Sequence, residues 1–251
     1  MTADRFDGRR ALVTGGGSGI GLATARLLAE RGARVALLDH RADVLREVAA
    51  GLDATVVVAD VRDDLSVGVA IADAVKTLGG PIDVVVNAAG IYRMAVAADL
   101  SLEAWDDVLN TNLRGSFLVA REAIGRGGAA GEGRAVVNVA STAAFVADAV
   151  EPAAHYNASK AGVVALTKQL AAEWGPLGVR VNAVAPGVID TPMLRMMDDP
   201  ETGREYLRTR VPLRRLGRPE EVAEVIAFLA SERSAYVTGT TILVDGGVTA
   251  L

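Results

Sequence analysis

The sequence predicts an α/β fold, a doubly wound sheet of seven parallel strands with helices on both faces. Three observations predict it. Short apolar runs alternate with helix-length amphipathic stretches along the whole 251-residue chain. The apolar runs are continuous rather than alternating, as strands covered on both faces require. A glycine cluster, "TGGGSGIG" at 14–21, lies between the first run and the first helix, where such folds turn most tightly.

In chain order, "RALVT" (10–14) precedes a helix near 19–31, and "RVALLD" (34–39) precedes one near 41–50. "TVVVAD" (55–60) precedes a helix near 63–78, and "IDVVVNAAG" (82–90) closes a fourth unit. Helices near 101–125 lead to "RAVVNVAS" (134–141), followed by a long helix near 155–175 and "VRVNAVAPG" (179–187). A helix near 219–230 and "TILVDGG" (241–247) complete the pattern. The stretch "GRGGAAGEGRA" (125–135) reads as a mobile surface turn and not a linker, because the alternation continues across it. No internal repeat is evident, and one domain over residues 1–251 is expected.

Composition excludes several function classes. There is no cysteine, hence no disulfide, thiolate metal site or thiol nucleophile. Net charge is −5, from 31 acids and 26 bases without a long basic run, which argues against a nucleic-acid partner. His40 and His155 lie far apart with no metal-ligand spacing, so no metal is expected. The apolar runs are too short to cross a membrane, and "MTADRFDGRR" has no hydrophobic targeting segment. The cytoplasm is the expected compartment.

The glycine loop opens a helix, where backbone N–H groups and the positive helix end favour a phosphate. Gly15, Ser18, Gly19, Ile20 and Gly21 are therefore the candidates to cradle a dinucleotide pyrophosphate, although turns and close packing also use glycine. Asp39 ends the second strand, 18 residues after Gly21. A carboxylate there accepts from ribose hydroxyls and repels a 2′-phosphate, so NAD is favoured. Capping of the next helix is the alternative role for Asp39, and Arg41 keeps NADP open.

"HYNASKAG" (155–162) places Tyr156 and Lys160 four apart, on one helix face. The chain has three lysines against 23 arginines, so a lysine here is conspicuous. A free phenol titrates near ~10, too high for acid-base work at neutral pH. One positive charge at ~4 Å and an effective dielectric of ~20 is worth about 4 kcal/mol, roughly 3 pKa units. Lys160 is thus expected to make Tyr156 more acidic.

Together "TGGGSGIG", "NAAG" (87–90), "NTNLRG" (110–115), "NVAS" (138–141), "YNASK" (156–160) and "PGVIDT" (186–191) resemble the short-chain dehydrogenase/reductase superfamily. The resemblance runs from about residue 8 to "VTGTTILVDGG" (237–247) and implies a Rossmann-type fold. It implies Tyr156 as general acid-base, Lys160 as its partner and ribose ligand, and Ser141 as hydrogen-bond donor to the reacting oxygen. Asn112 would position a relay water reaching Lys160. Asp60 and Val61 would contact adenine; Asn87, Ala88 and Gly90 would back the adenosine ribose. Pro186, Gly187, Ile189 and Thr191 would border the nicotinamide. Ser141 and Tyr156 are 15 residues apart, where many relatives have 13, so the loop between them is expected to be longer. Thr142 competes with Ser141 for the hydroxyl role, but the strand-end match favours Ser141.

A substrate lid is expected at about 190–212, a segment with three of the five methionines, for which an amphipathic helix with Met as core filler is the alternative. Tyr92, Arg93 and residues 150–155 are further wall candidates, with His155 at the pocket edge. The resemblance implies a small-molecule alcohol or ketone, loosely of sugar or polyol type, and a homotetramer. Reduction of a 3-oxoacyl thioester on an acidic carrier, docked by the arginines at 208, 210, 214, 215 and 218, is the alternative. Cofactor binding without turnover is a remote third reading.

Overall fold

Aliphatic side chains on both sides of a pleated ribbon need a covering layer on each face, and the chain supplies two. The computed structural model describes residues 5–126, 133–147, 149, 151–194 and 199–251. The strands are β1 (Arg10–Thr14), β2 (Arg34–Asp39), β3 (Thr55–Val58), β4 (Val84–Asn87), β5 (Arg134–Val139), β6 (Val179–Pro186) and β7 (Thr241–Val244). They form one sheet in the order β3-β2-β1-β4-β5-β6-β7, and every neighbouring pair is parallel. The helices are α1 (Gly19–Glu30), α2 (Ala42–Ala50), α3 (Asp64–Leu78), α4 (Leu102–Leu109), α5 (Gly115–Ala120), α6 (Ala154–Trp174), α7 (Pro200–Arg210) and α8 (Pro219–Ala230).

Leu12, Val85, Val136 and Val181 point to one face and pack with Ile71 of α3, Leu118 of α5 and Trp174 of α6. Val13, Leu37, Val86 and Val137 point to the other, against Leu28 of α1, Leu45 of α2 and Ile226 of α8. Helix ends follow local chemistry. Asp63 accepts from the N–H groups of Leu65 and Ser66 to start α3, and Gly79, at φ 77°, ends it. Ser101 caps α4 through the N–H of Ala104. Between α4 and α5 the helix widens into a π turn over Asn110–Arg114, a distortion common at functional sites.

The chain leaves β3 at one edge and returns to place β4 beside β1. At such a reversal the connections diverge to opposite faces and open a crevice at the strand C-termini. Most expected strands ran too long at that end: Ala59–Asp60, Ala88–Gly90, Ala140–Ser141 and Asp245–Gly247 lie beyond the strands. Periodicity cannot separate a strand from the apolar loop that continues it. The surface-turn reading of 125–135 falls largely on residues 127–132, outside the described residues.

Candidate active site

A cleft of about 690 Å³ lies across the C-terminal ends of the strands. One wall of it includes Gly15, Ser18, Gly19, Ile20 and Gly21. Gly15 has φ +64°, and a Cβ there would stand 2.9 Å from the Ala88 backbone. Gly19 has φ +53°, and its Cβ would reach within 3.2 Å of Thr191 Cγ2. Both positions favour glycine by conformation and by space. The two loops are also tied from below, because Thr14 Oγ1 accepts from the N–H groups of Ala88 (3.1 Å) and Ala89 (3.0 Å). Ser18 is the N-cap of α1 but makes no side-chain cap bond. First-turn N–H groups are thereby left to a ligand.

Asp39 is buried at the end of β2 and lines the cleft. Arg41 grips it with Nε to Oδ1 and a terminal nitrogen to Oδ2, both at 3.0 Å. Burial works against its ionisation, but the Arg41 hydrogen bonds prevail and hold the carboxyl below its ordinary value. Asp39 does not cap α2: the cap position is Arg41, with no side-chain cap bond. Asp60 and Val61 also line the cleft. Asp60 is held by Arg62 at 2.7 Å, and Arg62 continues to Asp107 at 2.6 Å.

At the other end Ser141, Tyr156 and Lys160 converge, with Pro186, Gly187, Ile189 and Thr191 along the adjoining wall. Tyr156 and Lys160 occupy successive turns of α6. Ser141 is hydrogen-bonded to the phenol, and its Oγ accepts from the Ala143 N–H at 3.1 Å. Thr142 instead opens a short 3-10 turn. The electrostatic expectation for the pair is corrected. Burial pushes the Tyr156 phenol above its ordinary value, the Ser141 bond pulls it down, and the charge of Glu151 pushes it up. Burial also lowers Lys160 to about 8. The reason is direction and distance: Nζ donates to the Val139 carbonyl at 2.8 Å and lies 5.6 Å from the Tyr156 ring centre.

Two expected residues stand behind the cleft wall rather than on it, Asn87 and Asn112. Asn87 donates to the Ser116 carbonyl at 3.1 Å and to Asn138 Oδ1 at 2.8 Å, tying α5 to the sheet. Asn112, in the π turn, donates to the Ile91 carbonyl and to Ser159 Oγ, each at 3.0 Å. Its Oδ1 accepts from the Ile91 N–H at 2.8 Å. Ala88 and Gly90 do reach the wall. A Cβ on Gly90 would lie 3.2 Å from Asn112 Oδ1 and 3.6 Å from Lys160 Nζ. The bare glycine therefore leaves a gap between these two groups.

His155 is not at the pocket edge. It is fully buried, and that burial pushes its imidazole below the ordinary value. Tyr92, Arg93 and Met193 line the cleft, together with Tyr206 from α7. Helix α7 occupies much of the expected lid, while Met196 and Met197 lie outside the described residues, as does Val150. Glu151 was not singled out by the sequence. It stands within a suspected wall segment, and only the fold brings it against Tyr92, whose hydroxyl donates to Oε2 at 3.2 Å.

The sequence profile of the enoyl-(acyl carrier protein) reductase family matches residues 15–249. D-threitol dehydrogenase of Mycolicibacterium smegmatis is 43% identical over 250 residues, covering 98% of this chain and 94% of that protein. The chain belongs to the short-chain dehydrogenase/reductase superfamily. Galactitol 2-dehydrogenase (L-tagatose-forming) of Cereibacter sphaeroides is 42% identical over 252 residues, covering 99% and 98% of the two chains. A crystal structure of a short-chain type dehydrogenase/reductase from Mycobacterium marinum superposes with a TM-score of 0.89 at 35% identity, covering 98% of each chain. Superfamily membership accounts for the seven-stranded Rossmann-type sheet and for the alignment of Ser141, Tyr156 and Lys160 on one cleft.

Proposed function

We infer that this protein is an NAD(H)-dependent dehydrogenase that interconverts a secondary alcohol and a ketone on a small, polyol-like substrate. The observation that carries the reading is the meeting of Ser141, Tyr156 and Lys160 in a cleft whose far end is a glycine cradle on a helix N-terminus. The cradle and the Asp39 carboxylate fit a dinucleotide: the N-terminus of α1, which has no side-chain cap, and Asp39 line one continuous cleft. When bound there, the nicotinamide supplies the hydride acceptor for oxidation and the donor for reduction. Tyr156 Oη takes the proton of the substrate hydroxyl or returns it to the carbonyl oxygen. Ser141 holds that oxygen beside the phenol and stabilises its charge. Lys160 would hold the ribose of the bound dinucleotide. Asn112 fixes the Ile91 backbone, and a water in the gap beside Gly90 would connect it to Lys160. Asp39 supports NAD over NADP, since Arg41 is already bidentate on it and the pair offers a phosphate little net positive charge.

The polyol reading is supported by the threitol and galactitol dehydrogenases among the relatives. Thioester reduction on an acidic carrier is less favoured, because Arg208, Arg215 and Arg218 are paired with Glu205 or Glu221. The segment at 190–212 serves as the lid. The working form is a cytoplasmic homotetramer; exposed Leu243 on edge strand β7 and exposed Leu213 near it are suited to burial between subunits. Light scattering giving a monomer at working concentration rejects the tetramer.

The test is nicotinamide absorbance change with polyols, sugars, hydroxy acids and 3-oxoacyl thioesters, with either cofactor, for wild type and Tyr156→Phe. Turnover of a polyol that the substitution abolishes is expected. Turnover that survives it refutes the mechanism.

A further inference from the structure

The loop between Ser141 and Tyr156 delivers a carboxylate to the substrate end. Glu151 lines the cleft with Ser141 and Tyr156. Its Oε2 accepts from the Tyr92 hydroxyl at 3.2 Å. The Tyr92 ring in turn stands edge-on to the Tyr156 ring, with centres 4.9 Å apart. Glu151, Tyr92 and Tyr156 are thus one contiguous surface, and the Glu151 charge is felt at the phenol.

The backbone around this carboxylate is held in place. The Ala95 N–H donates to the Pro152 carbonyl at 2.9 Å, and Ala95 bridges Ala153 in parallel. Asn157 Nδ2 reaches back to the Val146 carbonyl at 3.2 Å, fastening the other part of the loop to α6. Arg93, also on the wall, is turned onto Asp107 at 3.2 Å.

We propose that Glu151, steadied by Tyr92, is the specificity-determining residue of the substrate end, selecting neutral substrates with several hydroxyl groups and rejecting carboxylates. This rests on the dehydrogenase reading above. An ionised carboxylate is acceptor-only and can take up to about four hydrogen bonds, which suits hydroxyl donors along a polyol chain. The same charge repels a substrate carboxylate brought against it. A hydroxy acid and a polyol of equal length present the same reacting carbinol, so Glu151 is where the cleft tells them apart.

The experiment compares wild type, Glu151→Gln and Glu151→Asp on a tetritol and on a four-carbon hydroxy acid, with NAD saturating. For Glu151→Gln, KM for the tetritol is expected to rise about tenfold, the scale of one charge-assisted hydrogen bond. KM for the hydroxy acid is expected to fall by a similar factor, so the ratio of the two efficiencies moves about 100-fold. Glu151→Asp retains the charge but retracts it; it is expected to weaken the tetritol while still rejecting the acid. A selectivity ratio that shifts less than threefold in Glu151→Gln, or a loss confined to kcat, overturns the role of Glu151. Wild type that turns over neither substrate overturns the proposal too, and absence of turnover across the full panel then overturns the dehydrogenase reading with it.

Discussion

Lys160 is nearly fully buried, and its ammonium donates to one backbone carbonyl among the described residues, Val139, at 2.8 Å. Burial lowers it from 10.5 to about 8. At 1.36 kcal/mol per pKa unit, the difference corresponds to about 3 kcal/mol of folding free energy. The sign follows from proton counting. Between about pH 8 and 10.5 the unfolded chain binds the proton more tightly than the folded chain, so stability rises with pH across that window. Below about pH 8 both states are protonated and the full burial cost is present. Lys160→Met removes the titration and keeps most of the apolar stem. Urea unfolding of wild type and variant, at one protein concentration and several pH values from 7 to 10.5, isolates the effect, because shared groups cancel in the difference. The stability of wild type relative to Lys160→Met is expected to improve by about 3 kcal/mol from the low to the high end. A difference that stays flat within about 1 kcal/mol, or that declines as pH rises, refutes the account of Lys160 as a buried, weakly partnered cation.

Other substitutions probe the remaining parts. Thr14→Val leaves the N–H groups of Ala88 and Ala89 without their shared acceptor; a loss of about 2 kcal/mol in urea unfolding is expected, and a loss under about 0.5 kcal/mol rejects the tie. Asp39→Ala removes the negative charge that Arg41 neutralises, so the NADP-to-NAD ratio of kcat/KM is expected to rise about tenfold or more; an unchanged ratio discards Asp39 as the selector. Asn112→Ala strips both backbone groups of Ile91 and Ser159 Oγ of a partner. A destabilisation of about 2–3 kcal/mol with turnover down more than tenfold is expected, and wild-type turnover in a fully folded variant removes Asn112 from the site.

The sequence by itself determined the strand order's raw material. Continuous Val-, Ile- and Leu-rich runs separated by amphipathic stretches admit few arrangements besides a parallel sheet covered twice, since each run has two apolar faces to hide. It also determined the local chemistry of the site. Gly15 and Gly19 sit at positive φ, as a tight turn into a helix requires, and Tyr156 and Lys160 share a helix face because four residues make about one turn. Such properties depend on neighbours along the chain, so spacing reveals them. What only the tertiary structure decided depends on partners distant in sequence. Asn87 and Asn112 carry recognisable motifs, yet their side-chain NH2 groups are taken by Ser116, Asn138, Ile91 and Ser159 behind the wall. The widening of the helix at Asn110–Arg114 leaves no clear mark in composition. Lys160 was expected to acidify Tyr156 from residue spacing alone, but the fold supplies burial around both groups and a carbonyl that turns the ammonium aside. Glu151 meets Tyr92 across 59 residues of chain. Electrostatics at the cleft is a sum over groups gathered by folding, and one-dimensional spacing holds only the local part of that sum.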